Sequence, residues 1–253
     1  MLGLPAGVRA CLFDLDGVLT PTAAVHAAAW KELFDDFLRQ RAARTGEKFR
    51  PFDPVADYDE YVDGRPRADG TRSFLASRNI TLPEGEPDDP PDRETIQGLS
   101  ARKDAAFSRR LHHGGVEPYE GSVRYLQAAR DAGLRRAVVS ASKHCAEILR
   151  TAGIDELIEE RVDGIVAARE GLRGKPAPDT YLYAAQLLGV EPAAAAVFED
   201  ALAGVEAGRA GGFGYVVGVD RVGQSDALRA HGADVVVKDL AELLDRADPE
   251  AAR

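Results

Sequence analysis

The chain has 253 residues, of which 45% are hydrophobic and 29% charged, and its formal net charge is −10. This is the composition of a soluble globular protein, and the length suits one domain carrying a large insertion or two modest domains. An acidic chain without a lysine/arginine run is a poor partner for nucleic acid, and no apolar run approaches the roughly 18 residues of a membrane helix.

Val8–Phe13 reads as a short apolar strand that stops at the polar cluster Asp14-Leu15-Asp16-Gly17. From His26 to Gln40 the apolar residues Trp30, Leu33, Phe34, Phe37 and Leu38 fall at helical spacing. A polar stretch dotted with aromatics follows (Phe49–Tyr61), then a helix over Asp69–Arg78, a Pro/Asp/Glu-rich loop over Pro83–Pro91 and a helix over Thr95–Leu111. After Glu117-Pro118 the texture changes. Val123–Ala132 reads as helix, Arg136–Val139 as strand, Cys145–Ala152 as helix and Ile165–Val166 as a very short strand. Pro178–Leu188 is a helix with proline near its start, where a missing N–H costs little. Ala194–Phe198 is a strand, Ala203–Ala210 a helix, and Tyr215–Val219 and Asp234–Val237 are strands.

Strands alternating with helices predict an α/β fold, a Rossmann-like parallel sheet core covered on both faces. Residues 22–116 lack that alternation and read as an inserted all-helical cap domain, leaving 1–21 and 117–253 as the catalytic core. The two cysteines, Cys11 and Cys145, fit neither a disulfide framework nor a metal-ligand spacing. Residues 1–9 lack the layout of a signal peptide. The simplest expectation is a cytoplasmic monomer with no membrane partner.

Ligands of open parallel sheets bind at the carboxyl ends of the strands. Asp14 and Asp16 follow the first strand. Ser140, Ala141, Ser142 and Lys143 follow the second, Gly174-Lys175-Pro176 precedes a helix, and Glu199 and Asp200 follow a later strand. Carboxylates gathered on one rim repel one another and call for a cation; magnesium prefers oxygen ligands and keeps places for phosphate oxygens. Lys175 can add positive charge beside the nucleophile, and the Ser140 hydroxyl with nearby backbone N–H groups can hold phosphate oxygens. Positioning and electrostatics are most of what phosphoryl transfer requires. Asp14 and Asp16 then suit a nucleophile that forms an aspartyl-phosphate and a partner that handles protons.

At these residues the sequence resembles the haloacid dehalogenase-like superfamily. Its four motifs stand in order: Phe13-Asp14-Leu15-Asp16-Gly17-Val18-Leu19, Ser140, Lys175-Pro176 and Glu199-Asp200. The resemblance implies Asp14 as nucleophile, Asp16 as acid/base and Lys175 as the third catalytic residue. It also implies a magnesium site drawn from Asp14, the Asp16 carbonyl and Asp200, with Glu199 either a ligand or a support. The chain is more closely similar to the sugar-phosphate mutase (β-phosphoglucomutase) branch. The stretches that carry this are Asp14–Thr20, His26 with Trp30-Lys31, Ser140–Lys143, Gly174–Asp179 and Glu199–Ala201. That likeness implies a small sugar phosphate as substrate, interconverted through a bisphosphate. The implied substrate-binding residues are Gly17, His26, Arg67, Ser140, Ala141, Ser142 and Lys143, with Ser142, Lys143 and Arg67 on the phosphate that is not being transferred.

The chain departs from the branch at Pro21, where such mutases often carry aspartate, at His144, at Asp63 and in a longer stretch around Glu84–Pro91. Several residues keep a plainer reading. Ser140 can cap a helix, Arg67 can be a surface arginine, His26 a structural histidine, and Asp63 the start of a turn with Gly64. A phosphatase acting on a small phosphorylated metabolite needs nearly the same residues as the mutase. A non-catalytic phospho-ligand sensor would be expected to lack Asp14, Asp16 or Lys175, all of which are present.

Overall fold

The apolar run after Val8 becomes β1 (Ala10–Phe13), fully buried along its length in a computed structural model that describes residues 2–245. β1 lies in the middle of a six-stranded sheet among the described residues. The other strands are β2 (Arg135–Val139), β3 (Glu160–Val162), β4 (Ala195–Glu199), β5 (Tyr215–Val219) and β6 (Val235–Val237), in the order β3-β2-β1-β4-β5-β6. Every pairing is parallel, with Ala10 level with both Arg135 and Ala195. Strands buried on both faces read as near-continuous apolar runs, as Ala-Cys-Leu-Phe and Ala-Ala-Val-Phe do here.

The chain builds outward from β1 to β2 and β3, then returns to place β4 on the other side of β1. The strand order therefore reverses between β1 and β4, and the crevice beyond their carboxyl ends is where such sheets bind ligands. On one sheet face Leu12, Ala137, Val139, Tyr181, Ala184, Leu188 and Val197 form a buried cluster. Phe13 stacks on Phe198 with centroids 4.5 Å apart, and Tyr125 packs against both rings.

The chain forms two compact units: one comprises the residues up to Pro21 and from Val116 onward, the other Thr22–Gly115. The second unit is helical, built from α1 (Thr22–Thr45), α2 (Arg67–Ser77), α3 (Ile96–Gly114) and a π-helical turn at Tyr58–Val62. Trp30, Leu33, Phe34, Phe37 and Leu38 are all buried, as their spacing predicts. Phe34 meets Trp30, Phe52 and Phe74 at 5.2, 5.4 and 4.0 Å between centroids. Each such ring removed from water contributes roughly 1.5–3 kcal/mol. The Thr95 side chain accepts a hydrogen bond from the Gly98 amide and so starts α3. Asp63 and Gly64 do form a turn: Gly64 has φ 68° and the Arg65 amide reaches back to the Val62 carbonyl.

In the sheet unit the helices are α4 (Glu120–Asp131), α5 (Cys145–Thr151), α6 (Gly164–Glu170), α7 (Asp179–Leu188), α8 (Leu202–Ala210), α9 (Ser225–Ala230) and α10 (Ala241–Leu244). Ile165 and Val166, expected as a short strand, instead begin α6. The Asp163 carboxylate accepts hydrogen bonds from both of their amides, at 3.0 and 2.9 Å, which commits them to a helical first turn. Ile165 is 55% exposed, so its apolar side chain serves no sheet core. The strand lies just upstream as Glu160-Arg161-Val162. It is an edge strand, where charged residues are tolerated and no apolar run announces it.

Candidate active site

Asp14 leaves the carboxyl end of β1 with its amide bonded to the Phe198 carbonyl of β4, so the strand pairing itself carries this residue to the point where the strand order reverses. The following loop is tight. The Leu19 and Thr20 amides both donate to the Leu15 carbonyl, the Gly17 amide donates to the Thr20 carbonyl at 2.7 Å, and Gly17 has φ 93°. A Cβ at position 17 would stand 1.7 Å from the Asp200 Oδ2, so the absent side chain is what admits the Asp200 carboxylate.

Lys175 converges on the same point. Its Nζ lies 2.6 Å from Asp14 Oδ1, 2.5 Å from Glu199 Oε1 and 3.0 Å from the Val139 carbonyl. All three side chains are at least nine-tenths buried. Burial pushes the Asp14 carboxyl well above the usual range; Lys175 opposes this, while Glu199 and Asp16 add to it. Burial works against the charge on Lys175, yet Asp14 and Glu199 outweigh it and hold the ammonium well above its ordinary value.

Glu199 is committed on both oxygens. Oε1 accepts from Lys175 and from the Tyr181 hydroxyl at 2.9 Å, and Oε2 accepts from the Ala201 amide at 3.1 Å. Asp14, Glu199 and Asp200 each offer an oxygen within 4.8 Å of the others. A buried, all-carboxylate donor set suits a hard divalent cation such as magnesium better than zinc or copper, which favour sulfur or imidazole. Because Glu199 already serves Lys175, Tyr181 and Ala201, the carboxylates best suited to face an ion are Asp14 and Asp200.

On the β2 side the Ser140 hydroxyl donates to Asp16 Oδ2 at 3.3 Å and accepts from the Ser142 amide at 3.1 Å. Ser140 thus orients Asp16 and folds its own loop rather than capping α5. The Ser142 hydroxyl accepts the His144 amide at 3.1 Å, and the Ser142 carbonyl accepts the Gly164 amide. The Ala141 carbonyl and the Lys143 stem lie against Gly164, with Lys143 itself exposed. The sheet unit therefore carries Asp14, Asp16 and Gly17 after β1, Ser140, Ala141, Ser142 and Lys143 after β2, Glu199 as the last residue of β4 with Asp200 just beyond it, and Lys175 on the turn between α6 and α7.

His26 and Arg67 belong to the helical unit. Arg67, at the start of α2, pairs with Asp104 of α3; burial weakens the guanidinium's hold on its proton and Asp104 counters it. His26 stacks on Phe107 at 4.0 Å, and its Nδ1 meets Lys103 Nζ at 2.5 Å. Lys103 is only 4% exposed and lies over the Trp30 and Phe107 rings at 5.2 and 4.8 Å. Sequence reasoning passed over Lys103 because Arg102 and Asp104 flank it. The signal was its place at helical spacing on the apolar stripe Ile96, Leu99, Lys103, Ala106, Phe107.

Comparison with known proteins agrees with this geometry. Residues 8–212 match the model of the haloacid dehalogenase-like hydrolases. A Mycobacterium bovis β-phosphoglucomutase is 58% identical over 96% of this chain and 94% of its own length. The Bacillus subtilis β-phosphoglucomutase is 31% identical over 93% of this chain and 92% of its own. The crystal structure of a Clostridium difficile β-phosphoglucomutase superposes with a TM-score of 0.71 at 25% identity, covering 93% of each chain. The chain is an enzyme similar to these phosphotransferase/isomerases, and it belongs to the haloacid dehalogenase-like hydrolase family.

Proposed function

We propose that the chain is a magnesium-dependent sugar-phosphate mutase, converting β-glucose 1-phosphate to glucose 6-phosphate through a 1,6-bisphosphate and an aspartyl-phosphate at Asp14. The observation that carries the chemistry is the buried Asp14–Lys175–Glu199 chain with an Asp200 oxygen within 4.8 Å. The choice of sugar rests on the 58% identity to a β-phosphoglucomutase.

The Asp14 carboxylate attacks phosphorus and takes the phosphoryl group, while the sugar oxygen leaves. Asp16 delivers a proton to that oxygen and later removes one from the accepting hydroxyl; the Ser140 hydrogen bond holds it in place for both steps. Lys175 offsets the negative charge of nucleophile and phosphoryl group, and Glu199 keeps the ammonium there. A magnesium ion held by Asp14, the Asp16 carbonyl and Asp200 would screen the approach of an anionic carboxylate to an anionic phosphate.

In this reading residues 1–21 and 117–253 are the catalytic core and 22–116 the cap. Within the core, Ser142 and Lys143 bind the phosphate that is not being transferred and Gly17 and Ala141 border the transferring group; Arg67 and His26 are the cap's own contribution to recognition. No helix among the described residues is long and apolar enough to cross a membrane. The two buried, free cysteines agree with a reducing cytoplasm.

The test supplies β-glucose 1-phosphate, magnesium and trace glucose 1,6-bisphosphate and follows glucose 6-phosphate and inorganic phosphate together. Glucose 6-phosphate formed without matching free phosphate is the expected result. Free phosphate alone would make the enzyme a phosphatase and overturn the mutase reading.

A further inference from the structure

The loop between β5 and α9 supplies none of the residues assigned above, yet it contacts two of the segments that carry them. Its first residue, Asp220, is buried and shapes the loop: its Oδ1 accepts the Gly223 and Gln224 amides at 2.7 and 2.8 Å, and its Oδ2 accepts the Ser225 hydroxyl. Two side chains project from this preformed turn. Arg221 donates from Nε to the Gly17 carbonyl at 2.8 Å and from its second amino group to the Val18 carbonyl at 3.4 Å. Its remaining amino group reaches the Lys238 carbonyl at 2.7 Å and Asp239 at 3.4 Å, and its plane lies over the Tyr119 ring at 3.7 Å. Gln224 donates to the Asp200 carbonyl at 3.0 Å.

These contacts bear on one geometric fact: the Gly17 backbone and the Asp200 carboxylate are in direct contact, with no room for a single methyl group between them. The Asp16 carbonyl shares its peptide with the Gly17 amide, which donates to Thr20, while Arg221 holds the next peptide at the Gly17 carbonyl; together they pin Gly17 on both sides and with it the wall against which Asp200 rests. The planar guanidinium is suited to this, since it serves several carbonyls at once in a rigid fork that an ammonium cannot reproduce.

We propose that Arg221 and Gln224 are positioning residues for the divalent ion, one holding the Gly17 peptide and the other the Asp200 main chain, so that the ligands from two strand ends keep their spacing. The inference deepens the reading of Asp14, the Asp16 carbonyl and Asp200 as a magnesium site and rests on it. Each side chain acts through the main-chain segment it holds.

The experiment is calorimetric titration of magnesium chloride into substrate-free protein, comparing wild type, Arg221→Ala, Arg221→Lys and Gln224→Ala. Val236→Ala is the control, because it trims the buried cluster of Val205, Val216 and Leu228 without touching the loop's side chains. Removing partners that orient metal ligands typically costs ten- to a hundred-fold in affinity. The expected result is a dissociation constant raised about tenfold or more in Arg221→Ala and Gln224→Ala, little recovery in Arg221→Lys, and wild-type affinity in Val236→Ala. Gln224→Ala removes one hydrogen bond and no charge, so it keeps the test sharp if Arg221→Ala folds poorly. Wild-type affinity in both alanine variants, or equal weakening in Val236→Ala, would overturn the brace alone. A wild-type protein that binds no magnesium would overturn the metal site as well.

Discussion

Both units bury positive charge, and they do it differently. In the sheet unit Lys175 lies between two carboxylates, Asp14 and Glu199, each delivered by the end of a strand. In the helical unit Lys103 lies over the Trp30 and Phe107 rings and against His26, while Arg67 pairs with the carboxylate of Asp104. In the first, both carboxylates stand at the ends of paired strands, with the Asp14 amide bonded to the Phe198 carbonyl. The second is carried on long side chains along helix faces, supported by ring faces. Under the proposed function the sheet unit carries the reaction chemistry and the helical one recognition, and substitutions in the two should fail in different ways.

The largest expected effect is at Asp14. Asp14→Asn should lower turnover roughly 10⁴-fold or more, as loss of a covalent nucleophile does, while circular dichroism and the unfolding midpoint stay close to wild type. Substantial residual turnover would remove Asp14 from the covalent role and blur the contrast between the units. Lys175→Ala should damage both chemistry and fold, because it strands two buried carboxylates. Breaking such a cluster costs about 3 kcal/mol or more, which urea unfolding without magnesium would register. A loss below about 1 kcal/mol, the range of surface ion pairs, would mean that the buried pair is not the anchor described here.

Much of the first unit was legible in the sequence because its chemistry follows the backbone. Asp14, Ser140 and Glu199-Asp200 each come immediately after an apolar run that forms a strand, so finding the strands finds the residues. Ile165–Val166 misled for the same reason: two β-branched residues read as strand, whereas the decisive feature was the Asp163 side chain capping their amides. Glu199 had two readings because position alone does not tell which oxygens are already spoken for; Tyr181 and Ala201, distant or unremarkable in sequence, occupy them. Lys103 was hidden by charged neighbours. Arg221 and Gln224 carry no motif, and their relevance arises only when β5 is laid beside β4 and brings their loop against Gly17 and Asp200.

The helical unit offers a subtler test. Arg67→Ala should reduce kcat/KM for the sugar bisphosphate by roughly ten- to a hundred-fold, the scale of hydrogen bonds to a charged group, and leave hydrolysis of a small aryl phosphate nearly unchanged. Equal losses on both substrates would place Arg67 in the fold rather than in recognition.

The smallest effect concerns Asp59 in the π-helical turn. Burial, with a lesser contribution from Asp53, lifts its carboxyl to about 6 from an ordinary value of 3.8. Between these values the folded state binds more protons than the unfolded one, so Asp59 favours folding at low pH and loses that advantage as pH rises through 6. Asp59→Asn should therefore gain stability relative to wild type on going from pH 4.5 to pH 7. The gain should be about half a kcal/mol, since the group is only half-buried and solvent screens it. A pH-independent difference in urea unfolding would contradict the assignment.

The central claim is that a carboxylate at the end of β1 accepts the phosphoryl group. The most direct measurement is mass spectrometry of the protein quenched in acid shortly after mixing with glucose 1,6-bisphosphate and magnesium, followed by peptide mapping. The account predicts a mass gain of one phosphoryl group on the peptide containing Asp14, absent in Asp14→Asn. Turnover without any such adduct, or an adduct on another residue, would contradict it.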